Sequence, residues 1–89
     1  MVSSKIMIKN PLGLHLRPAS VLCQEALKFE SHITFKHKDS IANAKSVLGV
    51  LGACVKSGDE IELICEGKDE QSALEKLLKE IENGLGDEF

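Results

Sequence analysis

The sequence predicts an α+β fold, a two-layer sandwich in which an antiparallel sheet carries helices on one face and meets water on the other. Three observations lead there. Glu60 to Glu66 alternates with a period of two, Asp69 to Asn83 repeats its apolar residues at helical spacing, and short segments of both kinds take turns along the whole chain. A chain of 89 residues buries only about 60 to 65% of its unfolded surface. That leaves room for one thin core, read here as a single domain over residues 1–89, and no deep cleft of the kind most enzymes use.

Lys5-Ile6-Met7-Ile8-Lys9 alternates and runs into Asn10-Pro11, so it reads as a strand closed by a turn that continues through Gly13. From Leu16 the apolar positions become Ala19, Leu22, Cys23, Ala26 and Leu27, which is the spacing of a first helix. His32 to Lys36 places Ile33 and Phe35 on one face, and Lys38-Asp39-Ser40 turns into a short strand around Ile41-Ala42, giving a hairpin. Ser46 precedes the apolar run Val47 to Val55 and can cap a short second helix, which Lys56-Ser57-Gly58-Asp59 ends. In Glu60 to Glu66, Ile61, Leu63 and Cys65 share one face and Glu60, Glu62 and Glu66 the other, with Ile64 interrupting the polar side. Asp69 to Asn83 stacks Ala73, Leu74, Leu77, Leu78 and Ile81 on one stripe and stops at Gly84. Gly86 to Phe89 read as a frayed end.

Composition narrows the function classes. Cys23, Cys54 and Cys65 form no CxxC pair and cannot all pair with one another, so a disulfide framework is not expected and the free thiols suggest a reducing compartment. Each falls on an apolar stripe and reads as a small core residue. The longest apolar run, interrupted by Gly49 and Gly52, is far short of the ~20 residues that cross a bilayer, and the start does not resemble a secretory signal. The expectation is a soluble cytoplasmic protein. Residues 1–56 hold eight Lys/Arg against three acids, whereas residues 57–89 hold three Lys against eleven acids, so the halves carry opposite charge. If the basic half faces outward on one surface, it would steer an acidic partner there. With three Phe, no Trp or Tyr and no basic cluster, nucleic acid is not the expected partner.

Chemistry concentrates in Gly13-Leu14-His15-Leu16-Arg17-Pro18-Ala19-Ser20. His15 falls after a glycine turn and before a helix whose first turn holds Pro18, where a missing N–H costs no helical hydrogen bond. A helix N-terminus offers unpaired amides and about half a positive charge, so an anion beside His15 would meet backbone donors and the Arg17 guanidinium. The site suits a phosphate. A free imidazole nitrogen there could attack a phosphoryl group, form a labile phosphoramidate and pass the group on. Local physics alone favours the alternative, an idle loop histidine. His32 and His37, in or near the hairpin with no ligand-spaced partner, read as solvated, and no metal site is expected. The second segment is Asn43 to Gly52, whose helix has apolar residues on nearly all sides and two interior glycines. Either Val47, Leu48 and Leu51 form a docking patch or the helix is buried. Ser46 is an ordinary cap or, if phosphorylated, a switch that adds nearly two negative charges at a helix start.

These residues resemble a known family. Gly13 to Ser20 is similar to the active-site motif of HPr, the histidine-containing phosphocarrier of the bacterial phosphoenolpyruvate:sugar phosphotransferase system, and Lys45-Ser46-Val47-Leu48-Gly49 resembles that family's regulatory serine motif. The resemblance covers essentially the whole chain. It implies an open-faced β-sandwich of four antiparallel strands with three helices on one face; the expectation is a monomeric carrier without a cofactor, a relay rather than an independent enzyme. It also implies that His15 accepts phosphate on Nδ1 from phosphorylated enzyme I, with Arg17 beside it, and donates it to enzyme IIA units. Leu16, Ser20, Val47, Leu48 and Leu51 would form the docking surface. Ser46 would be the target of an HPr kinase/phosphorylase, the seryl-phosphorylated form binding a catabolite-control transcription factor. One departure is Leu16, where the family usually has a small residue, which bears on transfer rate and partner preference. A related regulatory subfamily lacks the histidine, and the presence of His15 weighs against that assignment.

Overall fold

Period-two alternation needs a sheet to satisfy its backbone, and the chain supplies four strands for it. In the computed structural model, which describes residues 1–87, the elements run β1 (Val2–Met7), α1 (Leu16–Ala26), β2 (His32–His37), β3 (Ser40–Asn43), α2 (Val47–Gly52), β4 (Glu60–Glu66) and α3 (Glu70–Glu82). The strands form one antiparallel sheet in the order β1-β4-β2-β3. The strand with the clearest alternation, β4, takes an interior position between β1 and β2.

The inner face carries Ile33 and Phe35 of β2, Ala42 of β3 and Ile61, Leu63 and Cys65 of β4, all buried. Ala19, Leu22 and Ala26 of α1 and Ala73, Leu74, Leu77 and Ile81 of α3 complete the core from the other layer. On the open face Lys5 and Lys36 both lie in register with Glu62, and Ser3 and Thr34 both with Ile64, which is half-buried between them. Opposite charges in directly facing positions stabilise a sheet. This pairing revises the expected charge separation, because basic residues of the first half and acidic residues of the second interleave across the open face.

Four further expectations change. Strand β1 begins at Val2 and ends at Met7, earlier than the Lys5 to Lys9 reading, because Val2 and Ser4 continue the half-buried face of Ile6. Ile8 then bonds outside the strand, its N–H to the Asp59 carbonyl at 2.8 Å and its carbonyl to the Gly58 N–H at 2.8 Å. Helix α2 stops at Gly52 rather than Val55, since Cys54 turns the chain through φ +53° and Val55 leaves to pack into the core. Cys54 is consequently exposed rather than a core residue, while Cys23 and Cys65 are buried. His37 is buried rather than solvated: Nδ1 lies 3.0 Å from the Ala53 carbonyl oxygen and Nε2 2.8 Å from Asp59 Oδ2, tying β2 to the end of α2 and to the turn before β4.

Several carboxylates hold these connections. Asp59 accepts the Lys56 N–H at 3.0 Å and then the His37 ring, which together hold its carboxyl below the usual range. Asp69 accepts the Ser31 hydroxyl and the N–H groups of Glu30 and Ser31, with the same effect. A carboxyl lowered on folding contributes stability above its unfolded value and loses it as pH falls through the folded value. Urea midpoints should therefore drop below about pH 4. The drop should be shallower in Asp69→Asn; an identical profile for that variant would show that the Ser31–Asp69 contact does not couple protonation to folding.

Candidate functional site

The turn after β1 builds the site. Gly13 adopts φ +67°, and a Cβ there would run into the Val55 carbonyl oxygen and come within 2.8 Å of Lys56 Cα. The close approach lets the Leu14 N–H reach that same oxygen at 3.0 Å, while the Gly13 N–H donates to the Asn10 carbonyl at 2.9 Å. Replacing Gly13 by alanine should cost about 2–5 kcal/mol, the sum of a left-handed backbone and a clash with main chain. A urea midpoint unchanged in Gly13→Ala would mean that the turn relaxes freely.

Out of that turn His15 emerges extended, at φ −78° and ψ −171°, as the N-cap of α1. Its carbonyl accepts the Ala19 N–H at 3.0 Å, but its side chain makes no cap bond. The imidazole is therefore free for other work, and its side chain is 36% exposed. Helix geometry leaves the Leu16 and Arg17 amides without an intrahelical acceptor, and Pro18 has no amide to satisfy. Arg17 is exposed beside them. Pro11, Leu12, His15, Arg17, Gly86 and Asp87 line an open depression of about 460 Å³. An anion in it would meet a guanidinium, an imidazole and the positive end of α1.

The tail closes one side. Asp87 Oδ2 lies 2.9 Å from His15 Nε2 and accepts Asn10 Nδ2 at 3.0 Å; the same Asn10 Nδ2 donates to the Gly84 carbonyl at 2.8 Å. The Asn10 bond first, and the His15 bond second, hold the Asp87 carboxyl below the usual range. Gly86 and Asp87 are thus seated against the site rather than frayed; Glu88 and Phe89 lie outside the described residues. Sequence reasoning missed Asn10, Leu12 and Asp87. Leu12, exposed between Pro11 and Gly13, carried a signal in its turn position, whereas the return of Asp87 to His15 is a tertiary event without a local pattern.

Comparison with known proteins decides the family. The family model for the PTS HPr component phosphorylation site matches residues 2–83. The chain belongs to the HPr family. HPr-like protein Crh of Bacillus subtilis (strain 168) is 42% identical over 77 residues, covering 86% of this chain and 91% of that protein. Phosphocarrier protein HPr of Treponema pallidum is 35% identical over 88 residues, covering 99% of this chain and all of that one. The crystal structure of HPr-C-His from Thermoanaerobacter tengcongensis matches with a TM-score of 0.95 at 39% identity, covering 100% of both chains. The fold is that of HPr structures, and the chain is an HPr-family phosphocarrier of the phosphotransferase system. No described helix is long and apolar enough to cross a membrane.

In this HPr fold α1 and α2 are neighbours, so the two motifs come to adjacent helices. On α1, Leu16 is exposed and Ser20, one turn on, is half-buried. Ser46 caps α2, its Oγ accepting the Gly49 N–H at 3.0 Å. A Cβ at Gly49 would sit 3.3 Å from Ser46 Oγ, so the glycine keeps that cap uncrowded. Along α2, Leu48 is 82% exposed, Val47 is half-buried, and Leu51 packs against the core. The second helix is therefore neither wholly buried nor wholly a patch: it offers Leu48 to solvent and turns Val50 inward.

Proposed function

We propose that His15 is the phosphoryl acceptor of this HPr-family carrier, receiving the group on Nδ1 from phosphorylated enzyme I and passing it to sugar-specific enzyme IIA domains. The observation that carries this reading is the partly exposed imidazole at the N-cap of α1, opening with Arg17 onto one shared depression. The chain acts as one cytoplasmic domain and as a monomer, a stoichiometric relay with no metal or cofactor. Arg17 and the first amides of α1 hold the phosphoryl oxygens. Leu16 and Leu48, with the less exposed Ser20, Val47 and Leu51, form the docking surface, to which the exposed Leu12 adds. Incubation with enzyme I and phosphoenolpyruvate should add one phosphoryl group that is lost in acid and kept in alkali. An adduct with the opposite lability, or one formed only with a serine kinase and ATP, would leave a regulatory module without a carrier role.

Ser46 is the regulatory site, a substrate for an HPr kinase/phosphorylase whose product binds a catabolite-control transcription factor. A phosphate there would keep the favourable charge at the start of α2 and place nearly two negative charges beside Leu48. Acidic groups on enzyme I would then be repelled. Ser46→Asp should accept phosphate from enzyme I about tenfold more slowly at low salt, and the difference should shrink as salt rises. Equal rates at low salt would remove the electrostatic mechanism.

A further inference from the structure

We propose that Asp87 positions His15 for phosphoryl transfer, fixing the ring with its proton on Nε2 so that the lone pair lies on Nδ1. The proposal rests on His15 being the phosphoryl acceptor. An ionised carboxylate only accepts hydrogen bonds, so the 2.9 Å contact between His15 Nε2 and Asp87 Oδ2 requires Nε2–H as donor. Nδ1 is then the nitrogen with a free lone pair in the neutral ring.

The carboxylate is itself held. Asn10 is fully buried, and both protons of its Nδ2 are committed, one to Asp87 Oδ2 and one to the Gly84 carbonyl, while its Oδ1 has no partner among the described residues. Two flanking acceptors thus decide which way the amide points, even at the cost of an orphaned oxygen. The Asp87 N–H also returns to the Gly84 carbonyl at 3.0 Å. Between them, Gly84, Leu85 and Gly86 all adopt positive φ, at +92°, +49° and +88°. Leucine takes that region only when its surroundings insist, and Leu85 is fully buried in the core. An anchored leucine, two glycines and a buried asparagine therefore hold one carboxylate against one ring nitrogen.

The arrangement suits both halves of a relay. On loading, the Nδ1 lone pair forms a bond to phosphorus while the bond from phosphorus to the donor breaks and its electron pair leaves with the donor. Nε2 keeps its proton, and the positive charge that spreads over the ring lies beside Asp87. On unloading, the phosphorus–Nδ1 bond breaks, its electron pair returns to Nδ1, and the neutral ring with Nε2–H is restored. No proton has to be gained or lost in the cycle.

Nitrogen-15 spectra of the unphosphorylated protein, recorded where the His15 ring is neutral, test the first link. The wild type should show a protonated Nε2 and an unprotonated Nδ1. In Asp87→Ala the two shifts should converge as tautomers mix, and loading by phosphorylated enzyme I should slow about 10- to 100-fold, the scale of loss expected from a misplaced reacting group. That loss should fall on kcat and not on KM, because the Asp87 side chain is 14% exposed and offers a partner little surface. Asp87→Asn keeps an accepting oxygen without the charge, and should retain the wild-type tautomer and recover part of the rate. Wild-type shifts and rate in Asp87→Ala, or a loss confined to KM, would overturn the proposal. If wild-type His15 were never phosphorylated, the acceptor reading would fail, and the nitrogen spectra, which need no phosphorylation, would still decide the Asp87–His15 bond separately.

Discussion

His15→Ala should abolish phosphoryl acceptance from enzyme I while leaving the fold intact. The side chain caps no amide of α1, and its one hydrogen bond among the described residues, to Asp87, is partly exposed, so its removal should cost no more than about 1 kcal/mol of stability. The chemistry has no substitute. His32 is exposed at the end of β2, in register with Glu66 on the open face of the sheet, and His37 is buried against Ala53 and Asp59. Neither adjoins the Arg17 depression. Radiolabelled phosphoenolpyruvate with enzyme I should leave His15→Ala unlabelled, with a urea midpoint lowered by no more than that loss of about 1 kcal/mol allows. An acid-labile label on that variant would move the acceptor elsewhere.

Phe35→Ala should produce the largest loss of stability. Phe35 heads the fully buried side chains by size, and its position in β2 faces Leu63 of β4 on one side and Ala42 of β3 on the other. Truncating a buried phenylalanine costs about 3–5 kcal/mol, against a total of about 5–15 for a native domain. In a chain this short, each kcal/mol moves the melting midpoint by about 4–8 °C, so a drop of roughly 12–40 °C is expected in thermal unfolding followed by circular dichroism. A drop of only a few degrees would mean that α1 and α3 close over the vacancy. The consequence for transfer is indirect, since the rate per folded molecule should survive at low temperature.

Much of this architecture was legible because its signals are local. β4 and α3 fall within one residue of the sequence reading, since seven residues of alternation and thirteen of helical spacing leave little choice. β1 was misplaced because Ser3 and Ser4 do not look like strand residues, although Ser4 faces inward against Leu63. His37 stood in phase with Ile33 and Phe35, a period-two signal outweighed by the usual preference of histidine for solvent. The end of α2 was illegible because the apolar run continues to Val55 past a left-handed Cys54. At the site, His15, Arg17 and Pro18 share one short segment and could be read together, as could the cap at Ser46. Asp87 lies 72 residues from His15 in sequence and reaches it through Asn10 and Gly84, contacts that exist only after folding.

The most direct measurement of the central claim is the atom that carries phosphorus. After loading with enzyme I and phosphoenolpyruvate, nitrogen–phosphorus coupling in ¹⁵N-histidine-labelled protein should appear at Nδ1 of His15, with Nε2 still bearing its proton. Coupling at Nε2, on another histidine, or at no nitrogen at all would contradict the account.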